Sequence, residues 1–172
     1  MINSKVEEIL NAQINKEFYS AYLYLAMSAH FDGMGLKGFA CWTKVQAKEE
    51  MDHGIIILDY IIAQDGKVNL HPIEAPVCNF GTPLQIFEEI LAHEKSVTES
   101  IECVANLSEN ECDKATRVFI DWYIKEQVEE EAQVLDVIKK IKIFGSECSI
   151  LYHLDKELSL RKYKQHNYDD TN

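Results

Sequence analysis

The stretch Lys48-Glu49-Glu50-Met51-Asp52-His53 decides the fold, read together with Lys125-Glu126-Gln127-Val128-Glu129-Glu130, which stands 77 residues further on. Residues three apart on a helix share a face. Glu50 and His53 therefore project together, and so do Gln127 and Glu130. The chain around each pair is a long amphipathic run with little strict alternation, the periodicity of an α-helix. Such a helix buries one face. Carboxylates taken into a core are costly unless they are paired or bind a cation.

Working outward, the seven glycines and three prolines cluster at breaks. Asp32-Gly33-Met34-Gly35 is one. Asp65-Gly66 opens a second that runs through Pro72 and Pro76 to Gly81-Thr82-Pro83, and Gly145-Ser146 is the last. Ser4-x-x-Glu7, Thr82-x-x-Gln85 and Ser108-x-x-Glu111 read as capping boxes, and Pro83 takes the preferred first helical position. These signals predict helices over about 5–31, 36–65, 83–107 and 111–144, and a shorter fifth over about 147–160. The first two and the next two are joined by short turns, so each pair is an antiparallel hairpin. The segment 66–82 is long for a bundle loop, long enough to run the full length of the bundle. Two hairpins joined by one long crossover is the ferritin-like arrangement of an all-α four-helix bundle, here with a short C-terminal helix. One domain over 1–160 is expected, and a polar, frayed tail over 161–172.

The hairpins set heights. The midpoint of positions 17 and 50 falls within Gly33-Met34, and that of 94 and 127 at Asn110-Glu111. Glu17 therefore stands level with Glu50, and Glu94 with Gln127, roughly 25 Å from each turn. Glu17 falls among Ile9, Leu10, Ile14, Tyr22 and Leu25, read as the apolar face of the first helix, and Glu94 lies between Leu91 and Ile101. Positions 17, 50 and 53 recur 77 residues on as 94, 127 and 130. The same offset relates Glu49 to Glu126 and Trp42 to Phe119, the mark of a duplicated hairpin.

Four helices each bringing polar side chains to one depth imply a bound cation. Carboxylate oxygen with one imidazole suits iron or manganese, and the lack of cysteine among these side chains disfavours structural zinc. The general pattern of di-iron bundles is a Glu from each of two helices and Glu-x-x-His from each of the other two. This chain supplies Glu17, Glu94 and Glu50-x-x-His53, then departs with Gln127-x-x-Glu130.

Composition excludes other classes. With 47% hydrophobic residues in 172, the chain builds a core. Net charge is −12, which repels nucleic acid and attracts cations. No run approaches the ~20 apolar residues of a membrane span, and Met1 to Glu8 lacks a signal-peptide pattern, so a cytoplasmic location is expected. Cys41, Cys78, Cys103, Cys112 and Cys148 form no C-x-x-C pair and read as buried or idle thiols.

At these residues the chain resembles the bacterial and archaeal non-haem ferritins. The resemblance covers nearly the whole chain, including Asn15-Lys16-Glu17-Phe18-Tyr19-Ser20-Ala21-Tyr22-Leu23-Tyr24, the Glu50 and Gln127 motifs, Trp122-Tyr123-Ile124 and Leu154-Asp155-Lys156-Glu157-Leu158-Ser159. It implies Fe(II) oxidation by O2 or peroxide at a di-iron centre and storage in a shell of twenty-four subunits. It implies one iron site from Glu17, Glu50 and His53 and a second from Glu94, Glu130 and a shared Glu50, with Gln127 near the oxidant. It further implies a third, weaker site from Glu49, Glu126 and Glu129 with Glu130 in reach, and a site tyrosine, Tyr24. Glu130 replaces the His that bacterioferritins carry. Met51 lies near their haem ligand, but a helical Met ordinarily packs in a core, and no haem is expected. His30, His71, His93, His153 and His166 read as surface or core residues.

Rival readings are weighed against this, beside the bland one of a purely structural bundle, which the buried acids disfavour. A substrate-oxidising di-iron enzyme typically has a longer chain and a substrate cavity. A rubrerythrin-like peroxidase needs a C-x-x-C module, absent here. A DNA-protecting miniferritin lacks the fifth helix and often binds DNA through basic tails, whereas Arg161, Lys162 and Lys164 are set here against Asp169 and Asp170. Leu151, Leu154 and Leu158 on the fifth helix are expected to pack against copies of themselves.

Overall fold

Thr82 and Gln85 close a full capping box, each side chain bonding the other's backbone, and Pro83 follows at the first helical position. That start signal is read correctly from sequence, and it begins the third of five helices. The computed structural model describes residues 2–144, 148–166 and 168. Its elements are α1 (Ser4–Gly33), α2 (Lys37–Ala63), α3 (Pro83–Asn110), α4 (Lys114–Phe144) and α5 (Cys148–Leu158), with no strand among the described residues. None of the described helices is long and apolar enough to cross a membrane.

The other two start signals are corrected. α1 is capped by Asn3, whose side chain accepts from the Lys5 amide, not by Ser4. Ser108 lies inside α3, buried, with its hydroxyl bonded to the Val104 carbonyl. The Ser108 carbonyl accepts from the Asp113 amide at 2.8 Å. The same bond from five residues on ends α1 (Leu36 to Phe31, 3.0 Å) and α2 (Gly66 to Ile61, 2.9 Å). All three ends have the residue before the donor in left-handed backbone: Gly35, Asp65 and Cys112. This is the Schellman closure, and it satisfies carbonyls that a helix end leaves free. Ser108 therefore serves the end of α3. Asp113 instead accepts from the Thr116 amide at the start of α4.

α1 pairs with α2 and α3 with α4, and α1 also lies against α3. The segment between α2 and α3 runs along the whole of α1. Lys67 bonds Glu7, Asn69 bonds Asn11, and Asn15 donates to the His71 and Pro72 carbonyls. Near the far end Phe80 meets His30, ring to ring at 5.4 Å. The long connection is thus a full-length crossover.

The core forms two clusters. One gathers Tyr24, Met27, Phe31, Phe39, Trp42 and Phe87, and the other Leu10, Ile14, Ile57, Ile61, Ile101 and Phe119. Trp42 and its counterpart Phe119 fall in different clusters, as expected if a pseudo-two-fold axis exchanges the hairpins.

Several expectations change here. Tyr22 and Leu25 are 50% and 45% exposed, so the buried face of α1 runs instead through Leu10, Ile14, Glu17, Ala21 and Tyr24. Met51 is 42% exposed and does not pack in the core. Leu154 and Leu158 of α5 are buried in the first cluster with Leu151 against it, so these leucines pack on their own subunit. Cys78, Cys103 and Cys112 are exposed and Cys41 half-buried, all as free thiols, while the side chain of Cys148 lies outside the described residues. The tail is not frayed over 161–166, where it lies on α2 and α4 through Arg161, Tyr163 and His166. Residues 167 and 169–172 lie outside the described residues.

Candidate metal centre

Between the two apolar clusters lies a polar layer. α1 supplies Glu17, α2 Glu50 and His53, α3 Glu94, and α4 Gln127 and Glu130, none more than 6% exposed. One oxygen each of Glu17, Glu50 and one nitrogen of His53 lie within 4.8 Å of one another, and so do oxygens of Glu50, Glu94 and Glu130. Glu50 is common to both groups, so the layer holds two adjoining sets of donors.

Apart from one bond made by Gln127, the hydrogen bonds around the layer come from side chains outside it. Gln13 Nε2 donates to Glu17 Oε1 at 2.8 Å. Gln46 Nε2 donates to both Glu50 Oε1 and Glu130 Oε1 at 2.7 Å. Gln127 Nε2 donates to Glu94 Oε2 at 3.2 Å, and the Tyr24 hydroxyl donates to Glu94 Oε1. Tyr123 OH donates to the His53 carbonyl at 2.7 Å. Tyr123 and Gln46 are themselves 77 residues apart, as are Glu130 and His53, so the same offset relates these supports.

Among the described residues three buried side-chain atoms keep no partner: Glu17 Oε2, Glu130 Oε2 and His53 Nε2. Orphaned buried polar groups are rare, and each costs about 1–3 kcal/mol or more. The electrostatics agree. Burial, then the charge of Glu50, pushes Glu17 up to about 8. Burial also drives Glu50 and Glu130 well above the usual carboxylate range and raises Glu94. His53 is lowered by burial, which keeps its imidazole neutral. Tyr24 is raised well above the phenol range by burial and by Glu94. Four carboxylates this close cannot all ionise without cations among them. The donors are oxygen with one imidazole, which fits two iron ions.

Among the described residues Glu49, Glu126 and Glu129 do not form one group of donor atoms within 4.8 Å, although His166 lies against both Glu49, at 4.0 Å, and Glu126. Glu49 Oε2 accepts from Arg161 at 2.5 Å, Glu126 Oε2 faces His166 Nδ1 at 3.3 Å, and Glu129 is exposed. Sequence reading also missed Gln13, Gln46, Arg161 and His166. The two glutamines stand four residues before Glu17 and Glu50, a helical spacing that was legible. Arg161 and His166 follow the last helix, where no period marks a face.

Comparison with known proteins agrees with this architecture. Residues 7–144 match the model of the ferritin-like domain family. A bacterial non-heme ferritin of Bacteroides fragilis is 37% identical over 161 residues, covering 94% of this chain and all of that protein. One from Staphylococcus epidermidis is 36% identical over 165 residues, covering 96% and 99%. A closed form of the Archaeoglobus fulgidus ferritin engineered by mutagenesis superposes with a TM-score of 0.94 at 44% identity, over 95% of this chain and all of that one. The open-pore ferritin of the same archaeon gives 0.93 at 44% identity, over 94% and all of that chain. Two hairpins joined by a full-length crossover, a match to the ferritin-like domain and relatives matched along nearly their whole length lead to one conclusion: the chain belongs to the ferritin family.

Proposed function

We propose that the chain is a ferroxidase subunit that stores iron, oxidising Fe(II) at the buried layer and passing the ferric product to a mineral inside a multi-subunit shell. The observation that carries this reading is the layer of four carboxylates and one imidazole in which three ligand atoms have no partner. Glu17, Glu50 and His53 hold one Fe(II), and Glu50, Glu94 and Glu130 the second. The carboxyl protons leave as the ions enter, because a carboxylate must be deprotonated to bind. Anionic oxygen donors stabilise Fe(III) more than Fe(II), so the layer lowers the barrier to electron loss. Each Fe(II) gives up one electron. Dioxygen accepts two with two protons and leaves as hydrogen peroxide, or hydrogen peroxide accepts two with two protons and leaves as two waters.

Gln127, a neutral amide beside Glu94, leaves the second set less charged than another carboxylate there would make it, which suits release of the product over retention of a fixed cofactor. Tyr24 positions Glu94 through its hydroxyl. Glu50 is common to both sets, so its removal breaks both. Glu50→Ala is expected to abolish rapid aerobic Fe(II) oxidation while leaving the helical signal intact. Fast oxidation surviving in that variant would overturn the assignment.

Assembly into a shell, as the family resemblance implies with twenty-four copies, is supported by apolar side chains that one subunit leaves uncovered. These include Tyr22 and Leu25 on α1 and Leu70, Ile73 and Val77 on the crossover. A cytoplasmic location, without haem, nucleic acid or membrane as partner, completes the proposal.

A further inference from the structure

The segment after α5 doubles back across α2 and α4. The Arg161 guanidinium lies over the Trp42 ring, 4.3 Å from its centroid. It donates to Glu49 Oε2 at 2.5 Å and to Gln46 Oε1 at 2.8 Å. Asp52 Oδ2 then accepts from Tyr163 OH at 2.7 Å and from the His166 amide at 3.0 Å. These bonds fix His166 at one place, with Nδ1 3.3 Å from Glu126 Oε2 and its ring 5.4 Å from that of His53.

His53 is the link to the interior. Its Nδ1 faces Glu50 Oε2 at 3.6 Å. Its Nε2 is buried and has no partner. A protonated Nε2 lacks an acceptor, and a bare one lacks a donor. One donor atom each from His53, Glu126 and His166 lies within 4.8 Å of the others, close enough for a single cation to draw them in. Two imidazoles and a carboxylate suit Zn(II), Co(II) or Fe(II), and suit Ca(II) or Mg(II) poorly.

We propose that His53, Glu126 and His166 hold a divalent transition-metal ion, in a site that the C-terminal segment completes. It differs from the third site implied by the family resemblance and shares only Glu126 with it; Glu49 is paired with Arg161 and lies 4.0 Å from His166 Nε2. A neutral imidazole has one lone pair. His53 therefore serves either an inner ion through Nδ1 or the outer ion through Nε2, and the two occupancies compete. Only this competition rests on the proposed di-iron centre. The outer site stands on its own residues.

The test uses the assembled protein, Zn(II) as a redox-inert probe and Co(II) as a spectroscopic one. Crystals soaked in Zn(II) are expected to show anomalous density bonded to His53, Glu126 and His166. His166→Ala should lose that density while keeping ions in the inner layer. Its Co(II) affinity at the outer site should fall by at least the roughly 10–100-fold seen when even a supporting partner of a metal ligand is removed. Glu17→Ala should keep the outer ion and fill it at lower Zn(II), because His53 is freed. The proposal is overturned if wild type shows no outer density, if His166→Ala binds equally well, or if Glu17→Ala loses the outer ion. It is also overturned if His166→Ala takes up more metal, since the segment would then screen a site instead of building one. Failure of the di-iron reading is read separately, as missing density among Glu17, Glu50 and Glu94.

Discussion

Gln46 shows how one side chain can hold two acids in place. Its amide nitrogen donates to Glu50 on its own helix and to Glu130 on α4, both at 2.7 Å. Gln46→Leu removes both bonds, leaving two more buried oxygens unpartnered, and also removes an acceptor of Arg161. Each such loss costs about 1–3 kcal/mol. Thermal unfolding of the metal-free variant should show the drop, and saturating Zn(II) should recover much of it because a cation satisfies the same oxygens. Tyr24→Phe frees Glu94 Oε1 in the same manner. It is expected to slow Fe(II) oxidation in stopped flow without changing the amount of iron bound.

Glu17 carries a pH dependence with a definite sign. Its folded pKa, about 8, lies above the ordinary 4.5 because of burial first and Glu50 second. A raised carboxyl pKa favours folding fully below 4.5, and that contribution is lost as pH rises towards about 8. Glu50, Glu94 and Glu130 shift in the same direction. Metal-free protein should therefore unfold at lower temperature as pH climbs from 4.5 to 8. The gap between Zn(II)-loaded and metal-free midpoints should widen over the same window. A constant gap would show that the layer does not exchange protons for cations.

At the scale of elements, α2 starts without a cap of its own. Leu36 makes no side-chain capping bond. Asp155 of α5 supplies it, accepting from the Gly38 and Phe39 amides at 2.7 and 3.0 Å. A carboxylate at a helix N-terminus also meets the positive end of the helix dipole. Asp155→Ala should cost about 1 kcal/mol, or roughly 2–4 °C in midpoint, with Asp155→Asn recovering part of it. Gly38 makes the approach possible, because a Cβ there would fall on the Asp155 backbone carbonyl. Gly38→Ala should loosen α5 and with it the tail that carries His166, which proteolysis beyond residue 158 would report. Thr82, by contrast, caps its own helix, and a cap made within four residues is readable from sequence. A cap that comes from 117 residues away is not.

For the whole molecule, the polar layer divides the apolar core into two clusters, so bound cations would join them. Uncovered Tyr22 and Leu25 bear on assembly. Tyr22→Lys with Leu25→Lys is expected to shift gel filtration from a very large species to small ones while circular dichroism stays helical. An unchanged large species would place the contacts elsewhere. These two residues also mark a limit of the sequence reading. α1 is apolar on more than one face, so periodicity alone drew its buried stripe through Tyr22 and Leu25 when Tyr24 and Ala21 line the core.

The five helices, the crossover and the depth shared by Glu17, Glu50, Glu94 and Gln127 were determined by the sequence alone. Helical geometry turns residue number into height and face, and a hairpin turn fixes which heights coincide. Only the tertiary structure decided which oxygens of those acids have donors and which have none. It alone brought Asp155 to α2, and Arg161 and His166 to Glu49 and Glu126. Those contacts join segments that share no period, so their distances exist only once the bundle has packed.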